Sequence, residues 1–289
     1  MNKLIYGMKD SNRYIYHYTT MDVAINHILP TNTLKANNYS STNDPKESKQ
    51  WQFDLGTNEN RDMGQYDMAA LSIKLSDALK SKTKLVCFSK DETVLTGNHL
   101  NDIFKRGFCK PRMWAQYAGN HSGVCLVFDR HKLDTAISGQ INKRHLTLKG
   151  DVNYRDRGVV GRLDEGEYKI NVDYLEKLGF DQYVSAHFQT FYQRLFFEKM
   201  NDWVHESEFR WVISTDHDGP IMIDYQNALA GIVFGDSAIE DDVDKIIDMT
   251  DYKILYTGLK WKNCSPWYDL ANFKYDKALR DSPWYKEKS

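Results

Sequence analysis

The chain of 289 residues is long enough to bury a substantial core as one large domain. Its 38 basic and 40 acidic side chains leave a formal net charge of -2, which excludes the global positive field of a general nucleic-acid binder and leaves only local patches open. Cys87, Cys109, Cys125 and Cys264 are too widely spaced for a disulfide scaffold or a structural zinc site.

No segment offers the ~20 apolar residues of a membrane helix, and the N-terminal stretch has no long apolar leader. The expectation is a soluble cytoplasmic protein with no membrane partner and no metal. The aromatic content of 13% favours a ring-shaped ligand.

In chain order, Ile15-Tyr16-His17-Tyr18-Thr19-Thr20 reads as a strand whose end carries a histidine and two threonines. One threonine is placed to cap a helix built on Val23, Ala24, Ile28 and Leu29 and stopped by Pro30. A lone histidine between tyrosines is more often packed than catalytic. Residues 37–45 are dense in turn formers and read as an exposed loop, with Asn43 and Asp44 before Pro45 set for an Asx-type turn.

Met68, Leu71, Leu75, Ala78 and Leu79 predict a helix of about fourteen residues by their spacing. Lys84–Ser89 reads as a buried strand, and residues 90–112 as loop or insertion. Trp114 and Tyr117 share one face of a short helix. Val124–Phe128 suits a central strand covered on both faces, and a further strand includes Val152-Asn153-Tyr154. Residues 155–179 carry many charges and lack a sustained apolar period, which reads as an insertion or a short helix near Val172–Leu178. Tyr183, Val184, His187, Phe188, Phe191, Tyr192, Leu195 and Phe196 then predict a long helix from Asp181 to Met200, its aromatic stripe facing a core.

Trp203 to Ile213 reads as a strand. A period of two places Glu206, Glu208 and Arg210 on one face and Phe209, Trp211 and Ile213 on the other. The bland alternative is a solvated face with an arginine between two acids. Leu229–Gly235 predicts an apolar strand, followed by a helix through Ile239, Val243, Ile246 and Ile247 capped by Asp236 or Ser237, and a last strand at Tyr252–Tyr256. Gly231 and Gly235 lack the GxGxxG spacing of a dinucleotide fingerprint. There is no internal repeat.

The order of a His-Tyr-Thr strand, hydroxyl and aromatic strand ends, and a downstream Glu-x-Glu resembles the ADP-ribosyltransferase superfamily in its H-Y-E branch. More closely, His17-Tyr18-Thr19, Asn43-Asp44-Pro45 with Glu47, Cys87-Phe88-Ser89, Trp114 with Tyr117 and Gly123, and Glu206-Ser207-Glu208-Phe209-Arg210 resemble DUF2971, a bacterial family of unknown function often grouped with those transferases. That resemblance spans roughly residues 14–258.

It implies an α+β fold with a split mixed β-sheet core of ADP-ribosyltransferase type and helical insertions. The domain would cover 1–273, with insertions near 55–82, 90–112 and 155–200, and a charged tail at 274–289. It also implies a transferase that cleaves NAD as substrate and passes ADP-ribose to a macromolecular acceptor, protein or nucleic acid, in the manner of a toxin or defence effector with an inhibitory partner. An NAD glycohydrolase and a non-catalytic nucleotide or nucleic-acid binding module are the alternatives, and metal-dependent nuclease chemistry ranks lower.

The residue roles follow from the resemblance. Glu208 would be the catalytic carboxylate that stabilises an oxocarbenium-like centre, and Glu206 would orient the acceptor. His17 would hold a ribose hydroxyl, with Tyr18, Thr19, Asn43, Ser89 and Arg210 completing the NAD site. The ring that stacks on nicotinamide would be Tyr39, Trp114 or Tyr117. Tyr18 departs from the family pattern, where a glycine usually follows the histidine.

Overall fold

A computed structural model describes residues 3–141, 146–157, 166–250 and 253–269. In chain order its strands are β1 Tyr14–Thr19, β2 Thr33–Asn38, β3 Asp54–Gly56, β4 Thr83–Lys90, β5 Val124–Asp129, β6 Leu146–Asp151, β7 Asn153–Tyr154, β8 Lys169–Asn171, β9 Glu198–Lys199, β10 Glu208–Ser214, β11 Ile221–Asp224, β12 Leu229–Phe234, β13 Leu255–Lys262 and β14 Ser265–Asp269. Ten of them form one sheet, in the order β11-β2-β4-β1-β5-β12-β13-β14, with β10 joined to β4 and β6 joined to β10. Only the β12–β13 pairing in this sheet is parallel, so the sheet is mixed and the chain is α+β.

Strand β4 has three neighbours. Along one side β10 pairs with it from Ser89 to Thr83. Along the other, β2 attaches at Leu85 and Lys84, while β1 attaches at Lys90 and Ser89. Between those attachments Val86, Cys87 and Phe88 pair with no strand on that side among the described residues, and the sheet divides there.

The alternation of side chains distributes three apolar cores around this frame. Ile15, Val86, Phe88, Leu126, Phe128, Phe209, Trp211 and Ile213 face helices 21–31 and Glu240–Met249. Tyr14, Tyr16 and Tyr18 point the other way, onto Phe108, Trp114, Leu255 and Leu259. The third core joins Leu85 and Val212 to Leu75, Leu79, Tyr183, Phe188, Leu195 and Phe196. It packs helix Met68–Ser81 against helix Phe180–Phe196, so segments far apart in sequence, within the expected insertions at 55–82 and 155–200, form one layer. The parallel ribbon β3–β8 links the same two segments.

The helices at Met68–Ser81 and Val172–Leu178 and the buried strand β5 match the expectations from the sequence. Other expectations are corrected. Thr20 does cap the first helix, accepting the Val23 N–H at 3.3 Å, but Pro30 lies within that helix's last turn. A π-type turn at Ala24–Ile28 precedes it, and the helix ends at Asn32, whose φ of 53° turns the chain away. The expected exposed loop at 37–45 instead contains the end of β2, a buried Tyr39 and a buried Asp44. The Asx turn is present, with the Asp44 carboxylate accepting the Lys46 N–H at 2.9 Å at the start of helix Pro45–Ser48.

The aromatic helix stops at Phe196 rather than Met200, and residues 198–199 become β9, paired with β7. The strand expected from Trp203 starts only at Glu208, after a 3-10 helix Asn201–Glu206. Helix Glu240–Met249 starts from Ile239 without a side-chain cap, so neither Asp236 nor Ser237 serves. Helix Arg130–Gln140 and strands β6, β13 and β14 complete the described chain; β12 and β13 enclose helix Glu240–Met249 as a parallel crossover. No helix among the described residues is long and apolar enough to cross a membrane. The expected tail at 274–289 lies outside the described residues.

Candidate functional site

Where the sheet divides at β4, a cleft of about 350 Å³ opens. Its walls carry His17 and Tyr18 from β1, Lys35, Asn37 and Asn38 from β2, Cys87 and Ser89 from β4, and Tyr117 from helix Pro111–Tyr117. Glu47, Lys199, Glu206 and Glu208 line its inner end.

A buried ionic cluster underlies that end. Arg210 is fully buried and donates from Nε to Glu208 Oε1 and from Nη2 to Glu208 Oε2, each at 2.7 Å. Its Nη1 reaches Glu47 Oε1 at 2.6 Å and the Phe196 carbonyl at 2.9 Å. Lys199 Nζ joins the two acids, at 2.8 Å from Glu206 Oε2 and 2.9 Å from Glu208 Oε2. The Glu208 backbone N–H donates to the Tyr154 hydroxyl at 2.8 Å. The solvated-face alternative therefore does not apply. Both acids and the arginine are inside, where an ion pair persists only when its hydrogen bonds are met.

The two acids differ in state. Burial pushes the Glu208 carboxyl up, but the Arg210 and Lys199 charges outweigh burial and hold it well below the ordinary glutamate range. Burial also raises Glu206, and there it prevails over Lys199, with the neighbouring Glu208 charge adding to it. Glu206 Oε1 accepts the Tyr117 hydroxyl proton at 2.9 Å, and Tyr117 accepts from Asn43 Nδ2 at 3.0 Å. Glu206 is thus the acid tied to the cleft wall, while Glu208 is clamped by two cations.

Local backbone geometry brings the acids together. Ser207 adopts φ 46° and ψ 53°, a left-handed turn between the 3-10 helix and β10. Both carboxylates consequently meet Lys199, although Glu206 lies outside the strand. Ser89 Oγ donates to the Glu206 carbonyl at 2.8 Å and fixes this turn to β4.

His17 bridges the division itself. Its Nδ1–H donates to the Cys87 carbonyl at 3.1 Å, which assigns the neutral ring's Nε2 as an acceptor. Burial lowers the His17 pKa, keeping the imidazole neutral.

Of the residues singled out in the sequence, His17, Tyr18, Asn43, Ser89, Tyr117, Glu206 and Glu208 line the cleft. Thr19, Tyr39, Trp114 and Arg210 do not. Trp114 is a core residue whose Nε1–H donates to the Phe108 carbonyl at 2.8 Å, and Tyr39 is buried against Trp51 and Phe196 with its hydroxyl on the Leu195 carbonyl. Tyr117 is then the one of the three candidate rings that reaches the cleft. Thr19 is buried in the pairing of β1 with β5. Arg210 positions acids from behind the wall. Tyr18 packs edge-on to Trp114 and donates to the Gly107 carbonyl at 2.8 Å.

Lys199 and Tyr154 were not legible as site residues. Extending the aromatic helix through Met200 hid Lys199, and only the β7–β9 pairing places Tyr154 beside it. Glu47 carried a signal, its position just after Asn43-Asp44-Pro45, without a role. Among the described residues no group of three or more His, Cys, Asp or Glu side chains is arranged to hold a metal ion.

No curated protein and no solved structure matches the chain. Residues 113–211 match the family model described as a protein of unknown function, DUF2971, a shorter stretch than the 14–258 expected and one that supports the family across the segment carrying Tyr117, Lys199, Glu206, Glu208 and Arg210.

Proposed function

We propose that the cleft binds NAD and that the protein is an ADP-ribosyltransferase acting on a macromolecular acceptor. The observation that supports this most is that His17, Tyr117 and the Glu206–Glu208 pair, from three separate parts of the chain, line one cleft at the division of the sheet. In this reading the bond between ribose C1′ and the nicotinamide nitrogen breaks, and nicotinamide leaves as a neutral molecule with the bonding pair. The acceptor's nucleophile bonds to C1′, and its proton passes to Glu206. The acid pair stabilises the oxocarbenium-like centre in a cleft walled by apolar rings. Tyr117 supplies a ring for nicotinamide.

The departure from the family-derived roles is that Glu206 meets the substrate, because both Glu208 oxygens are held from behind the wall by Arg210, whereas Glu206 Oε1 bonds Tyr117, itself a cleft residue. The same clamping favours a second reading, a nucleotide-binding module without chemistry.

Incubation with labelled NAD and cell extract tests both. The expected result is label transfer and nicotinamide release by the wild type. Glu206→Gln should lower turnover by about 10²-fold or more, the range for a general base, with NAD affinity little changed. Nicotinamide release without labelled macromolecules selects the glycohydrolase. Binding of NAD with neither release nor transfer selects the module.

A further inference from the structure

The segment 42–47 holds three polar atoms that its fold leaves unsatisfied, Thr42 Oγ1, Asp44 Oδ2 and Glu47 Oε2, and those of Thr42 and Glu47 belong to cleft-lining residues. Glu47 is 1% exposed, and while its Oε1 accepts from Arg210, its Oε2 is buried without a hydrogen-bond partner. Thr42 Oγ1 is likewise buried and unpartnered. Both residues line the cleft. Unmet acceptors of this kind are costly and rare in native interiors, and a carboxylate oxygen, which has no proton of its own, is met only by a donor.

Among the described residues Glu47 Oε2 meets no donor. Arg210 is committed to Glu208, Glu47 Oε1 and Phe196, and Lys199 to Glu206 and Glu208. The carboxylate cannot rotate away to water, because Arg210 holds one oxygen and the Lys80 ammonium fastens the backbone by hydrogen bonds to the Lys46, Glu47 and Lys49 carbonyls.

We propose that Glu47 and Thr42 are ligand-binding residues that take the hydroxyl groups of a sugar, with Glu47 Oε2 accepting a ribose O–H and the Thr42 hydroxyl bonding its neighbour. A hydroxyl is the donor that suits this position. The inference rests on the cleft being the ligand site, and it adds a third carboxylate to the two already placed there.

Calorimetric titration of wild type, Glu47→Gln and Thr42→Val with NAD, ribose 5-phosphate and 2-deoxyribose 5-phosphate tests it. In Glu47→Gln, Arg210 requires the amide oxygen, so the amide NH₂ turns to the cleft and replaces the acceptor by a donor. NAD and ribose 5-phosphate should bind this variant about tenfold or more weakly, as expected for a lost hydrogen bond to a charged group. The deoxy sugar should bind more weakly than ribose 5-phosphate and discriminate less between proteins. Thr42→Val should lower affinity for NAD while leaving the melting temperature unchanged, since its Oγ1 bonds nothing in the free protein. This variant decides the question if Glu47→Gln fails to fold.

Equal affinity of NAD for wild type and the folded variants overturns the assignment of Glu47 and Thr42 and leaves the NAD reading standing. Glu47-dependent binding of ribose 5-phosphate without binding of NAD overturns the NAD reading and upholds the assignment. Absence of binding by both ligands overturns both.

Discussion

Glu208 and Glu206 are one residue apart and differ in what holds them. The Arg210 guanidinium meets both oxygens of Glu208 and is itself wholly buried, so removing that carboxylate leaves its Nε and Nη2 unpaired in the interior with Glu47 as its remaining acid. Glu208→Ala should therefore destabilise the fold by about 3–5 kcal/mol, the range for breaking a buried pair. Glu206→Gln should cost no more than about 1 kcal/mol, since the amide keeps an acceptor oxygen for the hydrogen bonds made there and Lys199 keeps Glu208 as its partner. Urea unfolding of both variants checks the contrast. Equal losses would show that the two acids share one structural role. An activity defect in Glu208 variants thus has a folding explanation that Glu206→Gln does not share. The pairing of two acids with an arginine was legible from Glu-Ser-Glu-Phe-Arg alone. Lys199, which neutralises them, was not, because its approach depends on how an aromatic helix ends.

At the scale of elements, the joint between β1, β5 and helix Pro111–Tyr117 sets where Tyr117 enters the cleft. Gly123 sits in that joint. A Cβ there would lie 2.4 Å from the Thr19 carbonyl oxygen and 2.9 Å from that of Ala118, both backbone atoms that cannot swing aside. Gly123→Ala should destabilise the protein by about 2 kcal/mol or more through overpacking. It should also weaken ligand binding at the cleft, because helix Pro111–Tyr117 must shift. Thermal melting, together with NAD titration of the folded fraction, reads both effects, and an unchanged melting temperature would remove the constraint. The glycine stood out in the sequence as part of a motif, yet its reason is a backbone contact between two elements, which no spacing rule conveys.

Across the whole molecule, acid stability carries the imprint of the helical layer. His187 donates from Nε2 to the Glu167 carbonyl at 3.0 Å, and burial lowers its pKa from 6.5 to about 4. Between those values the unfolded chain binds a proton that the folded protein excludes, so stability is full above pH 6.5 and falls as the pH drops through this window. From pH 7 to pH 5 the loss assigned to His187 is about 2 kcal/mol. Glu206, with its raised pKa, works in the opposite sense. Comparing urea unfolding of wild type and His187→Gln at the two pH values isolates the histidine. The expected outcome is a smaller pH-dependent loss in the variant, and parallel losses would remove the assignment.

That layer also shows the division of labour between sequence and fold. Helix Met68–Ser81 and the apolar face of β10 were determined by local periodicity, because side-chain direction follows from a period of 3.6 or 2, and the buried strand β5 by its unbroken apolar run. The acid pair with its arginine was read in the same way, while the α+β class came from the family resemblance. Only the tertiary structure decided that Tyr117 reaches the cleft while Tyr39 and Trp114 enter cores, that Lys199 joins the acids, and that β1 and β2 attach to different ends of β4. These are long-range pairings. Their energies depend on which distant surfaces bury each other, a quantity that no window of neighbouring residues contains.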